Sequence, residues 1–168
     1  MAGLWFEEFE VGRRFLHEVR RTVTDMDNVL FSALTFNPAA IHIDHAYAAT
    51  TEFGRPLINS LFTLGLVVGL TVQDTTFGTT VANLGFDSTT FPKPVFAGDT
   101  IRAETEVKAI RPSASRPGQG VVTFEHVARN QRGAVVAVVT RTTLMLCRPE
   151  EEEDPAGAGT PEPGQESR

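Results

Sequence analysis

Hydrophobic side chains recur along this chain in two regimes, and the change between them falls near residue 79. Before it, apolar positions come at helical spacing or in blocks; after it, they come in long runs rich in Val, Thr and Phe. At the N-terminus Trp5, Phe6 and Phe9 are interleaved with Glu7, Glu8 and Glu10, and residues 13–23 partly alternate apolar with polar side chains. A period of two predicts a half-buried strand, here an edge segment whose aromatics cover part of the core. His17 falls among these strand residues without an obvious partner and reads as a surface imidazole.

Thr24 followed by Asp27 forms a capping-box start, and Asp25 and Asp27 suit the positive end of the helix dipole. Val29, Leu30, Ala33 and Leu34 supply the apolar stripe of that helix, and Pro38 ends it. Capping accounts for the two carboxylates without an acid/base role. A second short helix is predicted from Asp44 through Tyr47 toward Glu52, closed by Gly54 and Pro56. A third runs from Asn59 or Ser60 to about Val72. Its sequence, LFTLGLVVGLTV, is apolar all round except at Thr63 and Thr71, which predicts a helix surrounded by protein on all sides. Gly65 and Gly69 leave two patches without side chains on one face, at a propensity cost of about 1 kcal/mol each.

Four strands are predicted at residues 79–91, 99–110, 120–130 and 134–146, separated by turn residues that include Pro92, Pro94, Gly98 and Gly133. The last two connections are short and carry Gly, so they read as hairpins in an antiparallel sheet. Helices first and strands afterwards give an α+β layout. One nearly all-apolar helix beside such a sheet predicts a single hotdog fold, with the sheet wrapped around the helix. The domain is expected to occupy residues 1–149. Residues 150–168 hold no hydrophobic side chain larger than Ala and are expected to form a disordered acidic tail.

Charge changes the picture little. The formal net charge of −6 comes from the tail, which holds seven of the 21 carboxylates and one of the 15 basic residues. The neutral body has no cluster of Lys and Arg, which excludes a nucleic-acid footprint and a membrane-surface helix. The longest uncharged run, residues 56–73, contains Asn59, Ser60 and Thr63 and reads as a buried helix. A single Cys147 excludes an internal disulfide and fits a reducing compartment. Acidic residues near the start argue against a signal peptide, so the expected address is cytoplasmic.

Four His without a Cys pair or His-x-x-x-His spacing give no support for a metal, and no glycine-rich phosphate loop or Gly-x-Ser-x-Gly elbow occurs. The polar candidates are Asn37, His42, Asp44, His45, Glu52, Asn59 and Ser60. His42 stands out because it precedes a helix N-terminus rich in polar groups, where a backbone N–H can meet an oxygen that gains charge. A base paired with such a site is the minimum for adding water to an unsaturated thioester.

The run from Phe31 to Ala48 resembles the signature of the MaoC-like dehydratases, hotdog proteins that include (R)-specific enoyl-CoA hydratases. Phe31 takes the aromatic place, Leu34 the aliphatic one, Thr35 the small one, and Phe36 the Gly. Asn37 takes the Asp, Ile41 the second aliphatic, His42 the His and Ala48 the final Ala. The segments FGRPLINSLFTLGLVVGLTV, FPKPVFAGDTI and SRPGQGVVTFEHVARNQRG resemble the mesaconyl-CoA and itaconyl-CoA hydratase branch.

The resemblance implies a hydratase/dehydratase acting across the α,β double bond of an enoyl-CoA thioester, with CoA as part of the substrate and no separate cofactor. It implies catalytic roles for His42 and Asn37, the latter replacing a carboxylate with an amide that cannot accept a proton. It also implies that backbone around Asn59, Ser60 and Leu61 binds the thioester carbonyl, and that the protein is a homodimer. Arg55, Lys93, Arg111 and Arg116 are candidates for a substrate carboxylate or the CoA phosphates, or solvated surface cations. The alternatives are a hotdog acyl-CoA thioesterase, for which Asp44 and Glu52 are the nearby acids, and a non-catalytic acyl-CoA binding protein.

Overall fold

Capping chemistry sets the first helix. In the computed structural model of the chain, which describes residues 3–149, helix α1 spans Asp25–Leu34. The Thr24 hydroxyl accepts from the Asp27 amide at 3.4 Å, and the Asp27 carboxylate accepts from the Thr24 amide at 2.8 Å. A short helix that the sequence does not predict, α2 (Ala40–Ile43), precedes α3 (His45–Ala49), which forms at the place of the predicted second helix and stops short of Glu52. Asp44 separates them: its backbone is extended and its carboxylate caps the Tyr47 amide at 2.9 Å. Helix α4 (Ser60–Thr75) starts at the Asn59 cap and continues about one turn past Val72.

The strands are β1 (Arg14–Thr22), β2 (Thr80–Thr90), β3 (Thr100–Pro112), β4 (Gln119–Arg129) and β5 (Val135–Leu146). They form one sheet in the order β1-β3-β4-β5-β2, antiparallel at every pairing. On β4 the buried Val122, Phe124, His126 and Ala128 alternate with half-buried Thr123, Glu125 and Val127, so one face of the sheet turns inward. Helix α4 lies on that face, where Val67 and Leu70 join a core with Ile101, Ala103, Ala128, Ala137 and Val139. A second cluster gathers Val107, Val122, Phe124 and Met145 under Phe9, whose ring meets Phe124 edge-on at 5.4 Å. The N-terminal aromatics thus cover part of the core. Gly120 is required there, since a Cβ would stand 2.1 Å from the Phe6 ring.

Three expectations need correction. The stripe of Val29, Leu30 and Leu34 is exposed, and the buried residues of α1 are Asn28 and Ser32. The helix lies beside the start of α4, to which it turns Asn28, bonded to Leu57 and Asn59, and Phe31, whose ring meets Phe62 at 5.9 Å, while the stripe faces outward. Helix α4 is not enclosed on all sides, for Leu61 is 60% exposed and nothing lies within 4 Å of a Cβ built at Gly65 or Gly69. Last, His17 is buried rather than at the surface. It sits at an irregular register of β1 between Leu16 and Arg20. Its Nδ1 lies 2.7 Å from an Asp74 carboxylate oxygen and its Nε2 lies 2.7 Å from the Thr105 hydroxyl.

Cys147 follows β5, half-buried beside Glu7. The tail expected at residues 150–168 lies outside the described residues.

Candidate active site

Two loops meet at the N-terminus of α4. His42, half-buried in the last turn of α2, holds its Nδ1 at 2.7 Å from the Leu57 carbonyl. A carbonyl only accepts, so Nδ1 carries the hydrogen and the neutral ring keeps its lone pair at Nε2. The same two loops are joined a second time, by the Leu57 amide donating to the Ile41 carbonyl at 3.0 Å. Backbone geometry therefore selects one tautomer, and it is the one that leaves Nε2 free to take a proton.

Helix α4 begins three residues after Leu57. Asn59 is buried, and its side-chain oxygen accepts from the Leu61 amide at 2.9 Å. Of the backbone positions singled out in the sequence, Leu61 is thus engaged by the cap. The Ser60 N–H belongs to the opening turn, where amides lack acceptors within the helix and the dipole favours negative charge. Leu57 and Ser60 both line a cavity of about 210 Å³, walled by Phe53, Ile58 and Val136, with Lys93 as a charged lining residue.

Asn37 is placed differently. Its amide donates to the Ser32 carbonyl at 2.9 Å, and its side-chain oxygen accepts from the Ala39 amide at 3.0 Å, closing the turn before α2. It lines a second hollow of about 380 Å³ with Val29, Phe36 and Ile43. Among the described residues no hydrogen bond joins Asn37 to His42. Phe36, which takes the Gly place of the signature, has φ 53 and is 94% exposed. Left-handed backbone explains a glycine at this position, since the side chain costs about 1–2 kcal/mol there.

The cations are spread out. Exposed Arg55 lies with its guanidinium 4.0 Å from the centroid of the Phe96 ring. Arg111 and Arg116 line a hollow of about 280 Å³ with Ser113 and Ser115 in the β3–β4 hairpin. That hairpin lies at the C-terminal end of α4, because Gly120 pairs with Met145 and Met145 with Thr80, just beyond the helix. Asp44 is engaged in its cap, and Glu52 and His45 are exposed. Among the described residues no three His, Cys, Asp or Glu side chains gather as a metal site, and no helix is long and apolar enough to cross a membrane.

One buried residue beside the candidate site escaped the sequence. Asn28 is 1% exposed and hydrogen-bonds to His42, Leu57 and Asn59, which lie 14, 29 and 31 residues away. A lone Asn inside an amphipathic helix carries no local signal for such contacts.

Residues 7–130 match the MaoC like domain. A mesaconyl-CoA hydratase of Cereibacter sphaeroides is 35% identical over 153 residues, which cover 88% of this chain and 42% of that protein. The chain thus spans less than half the length of this relative. The crystal structure of the MaoC-like dehydratase from Rhodospirillum rubrum superposes with a TM-score of 0.77 at 31% identity, covering 88% of this chain and 100% of that one. A Mycobacterium tuberculosis protein with a double hotdog fold superposes with a TM-score of 0.79 at 19% identity, over 96% of this chain and 53% of that one, a likeness of fold alone. The sheet wrapped on α4 is therefore a hotdog fold, and the match over residues 7–130 places the chain in the MaoC-like domain family.

Proposed function

We propose that the protein is a hydratase that adds water across the α,β double bond of an enoyl-CoA thioester, or removes it in reverse. The observation that carries this reading is the Nδ1–H of His42 committed to the Leu57 carbonyl, which leaves Nε2 as a base beside the start of α4. In the forward direction Nε2 takes a proton from water as the oxygen attacks the β-carbon. The electron pair of the double bond moves to the thioester oxygen, where the opening turn of α4, at Ser60, donates N–H to the enolate. The imidazolium then returns its proton to the α-carbon, so water is added and His42 ends neutral. Asn37 orients water or the substrate carbonyl without exchanging a proton, because an amide does neither acid nor base work at neutral pH.

The acyl group we assign is a branched dicarboxylic one of the mesaconyl or itaconyl type. Lys93 in the wall of the 210 Å³ cavity supports this, as a partner for a second carboxylate, with Arg55 nearby in sequence to the same loop as Phe53. CoA enters as part of the substrate and no other cofactor is assigned. We further propose a cytoplasmic homodimer, in which a second copy covers exposed apolar side chains such as Leu34 and Phe36, 72% and 94% exposed in the single chain.

Pure protein incubated with crotonyl-, mesaconyl- and itaconyl-CoA tests the assignment, with enoyl absorbance and free thiol followed together. Loss of enoyl absorbance without thiol is expected, fastest with a dicarboxylic substrate. Thiol release would instead mark a thioesterase, and binding without either change would mark a non-catalytic acyl-CoA protein.

A further inference from the structure

The exposed apolar stripe of α1 leaves unexplained why its one deeply buried carboxamide, Asn28, points at the site. All three of its hydrogen bonds end on backbone there. Nδ2 donates to the His42 carbonyl at 2.6 Å and to the Leu57 carbonyl at 3.0 Å, and Oδ1 accepts from the Asn59 amide at 2.9 Å. The first bond fixes the backbone of the proposed base. The second lands on the same carbonyl that receives His42 Nδ1–H, and the third fixes the residue that caps α4. We propose that Asn28 is a positioning residue of the hydration site, holding the His42 ring and the N-terminus of α4 at one mutual distance. This rests on the hydratase reading for its kinetic consequence but not for its geometry.

The side chain suits the task in a way few others do. Asparagine offers two N–H donors and an acceptor on a short stem, and the three backbone groups need two donations and one acceptance. Aspartate has the same size and can still accept from Asn59, but it has nothing to donate and turns negative oxygen toward two carbonyls. Serine is too small to reach all three. Removing the carboxamide also leaves the Asn59 amide, in a residue 4% exposed, without its partner. The two loops are then held by the Leu57–Ile41 pairing and the His42 ring alone.

Asn28→Ala and Asn28→Asp separate positioning from bulk stability. Misplacement of a base by about 1 Å costs on the order of 100-fold in rate, so both variants are expected to lose about 10- to 100-fold in kcat, with KM for the enoyl-CoA changed less than about threefold. The loss should be largely absent when Asn28→Ala is added to His42→Ala, because residues acting as a unit are not additive. A second readout does not need turnover: the ring nitrogen NMR signals of His42 should report the Nδ1–H tautomer in the parent and a mixture of tautomers in Asn28→Asp. That variant preserves side-chain volume and the Asn59 acceptor but buries a charge, so neutral Asn28→Ser, which also loses the full set of three bonds, serves where either variant fails to fold. Wild-type kcat in Asn28→Asp with an unchanged His42 tautomer would overturn the proposal, as would a full additional loss in the His42→Ala background. If the parent hydrates no enoyl-CoA while the tautomer still shifts, the hydratase reading fails and the positioning role of Asn28 stands.

Discussion

A neutral imidazole whose Nδ1–H is given to a carbonyl keeps its lone pair at Nε2, the atom from which the proposed base acts. His42 meets that description, so His42→Ala is expected to lower kcat for hydration by about 10²–10⁴-fold, the range for general acid–base catalysis, with the circular dichroism of the parent. A variant that hydrates at the parent rate removes the assignment. Asn37 poses the opposite question. Its side-chain oxygen closes the turn onto the Ala39 amide, and an Asp would keep that bond while losing the Nδ2 donor and adding a negative charge. Asn37→Asp should therefore fold normally and hydrate the native substrate about tenfold more slowly, the loss of roughly one neutral hydrogen bond. A large gain would show the amide to be a defect. At this scale the signature made His42 and Asn37 legible, because both sit within one short run of sequence. Asn28 was not legible, since its three partners come from segments brought near only by folding.

Between residues and the whole lie the elements, where local rules held wherever the neighbours along the chain were the relevant ones. The Thr24 capping box, the Asn59 start of α4 and the two hairpins are all built from partners a few residues apart. The same rules misjudged which side of α1 turns inward, because an apolar stripe records only that a face avoids water, not which protein surface covers it. The β4 strand carries a test of packing at this level. A methyl group at Gly120 would overlap the Phe6 ring at 2.1 Å, so Gly120→Ala should destabilise the fold by about 1–3 kcal/mol. The melting temperature would fall by about 2–4 °C for each kcal/mol in a domain of this size. The cost should shrink in a Phe6→Ala background; an equal cost in both backgrounds would place the strain elsewhere.

Over the whole molecule, the inner face of the sheet carries a polar chain that no single element reveals. From Asp74 on α4 it runs through His17 on β1 and Thr105 on β3 to His126 on β4, whose Nδ1 lies 2.8 Å from the Thr105 hydroxyl. Burial above all, then the charges of Arg141 and His17, pushes the His126 pKa down to about 3. In the unfolded chain an imidazole titrates near 6.5, so below that pH the unfolded state binds a proton that the folded state refuses. The corresponding stability is complete above about pH 6.5 and drains away as pH falls toward 3, by about 2 kcal/mol at pH 5. Urea unfolding at pH 7 and pH 5 should show this loss, and His126→Leu should flatten it; an unchanged slope in the variant would assign the acid sensitivity to other groups. The sequence by itself determined the α+β hotdog layout, the strand positions and the His42 motif, because hydrophobic period, caps and short turns act over a few residues. Only the tertiary structure decided that His17 is buried, that the apolar stripe of α1 and one face of α4 remain open, and that Asn28 ties the His42 backbone to the helix start. Those outcomes depend on which distant surfaces meet, and pairing over tens of residues leaves no periodic trace in the chain.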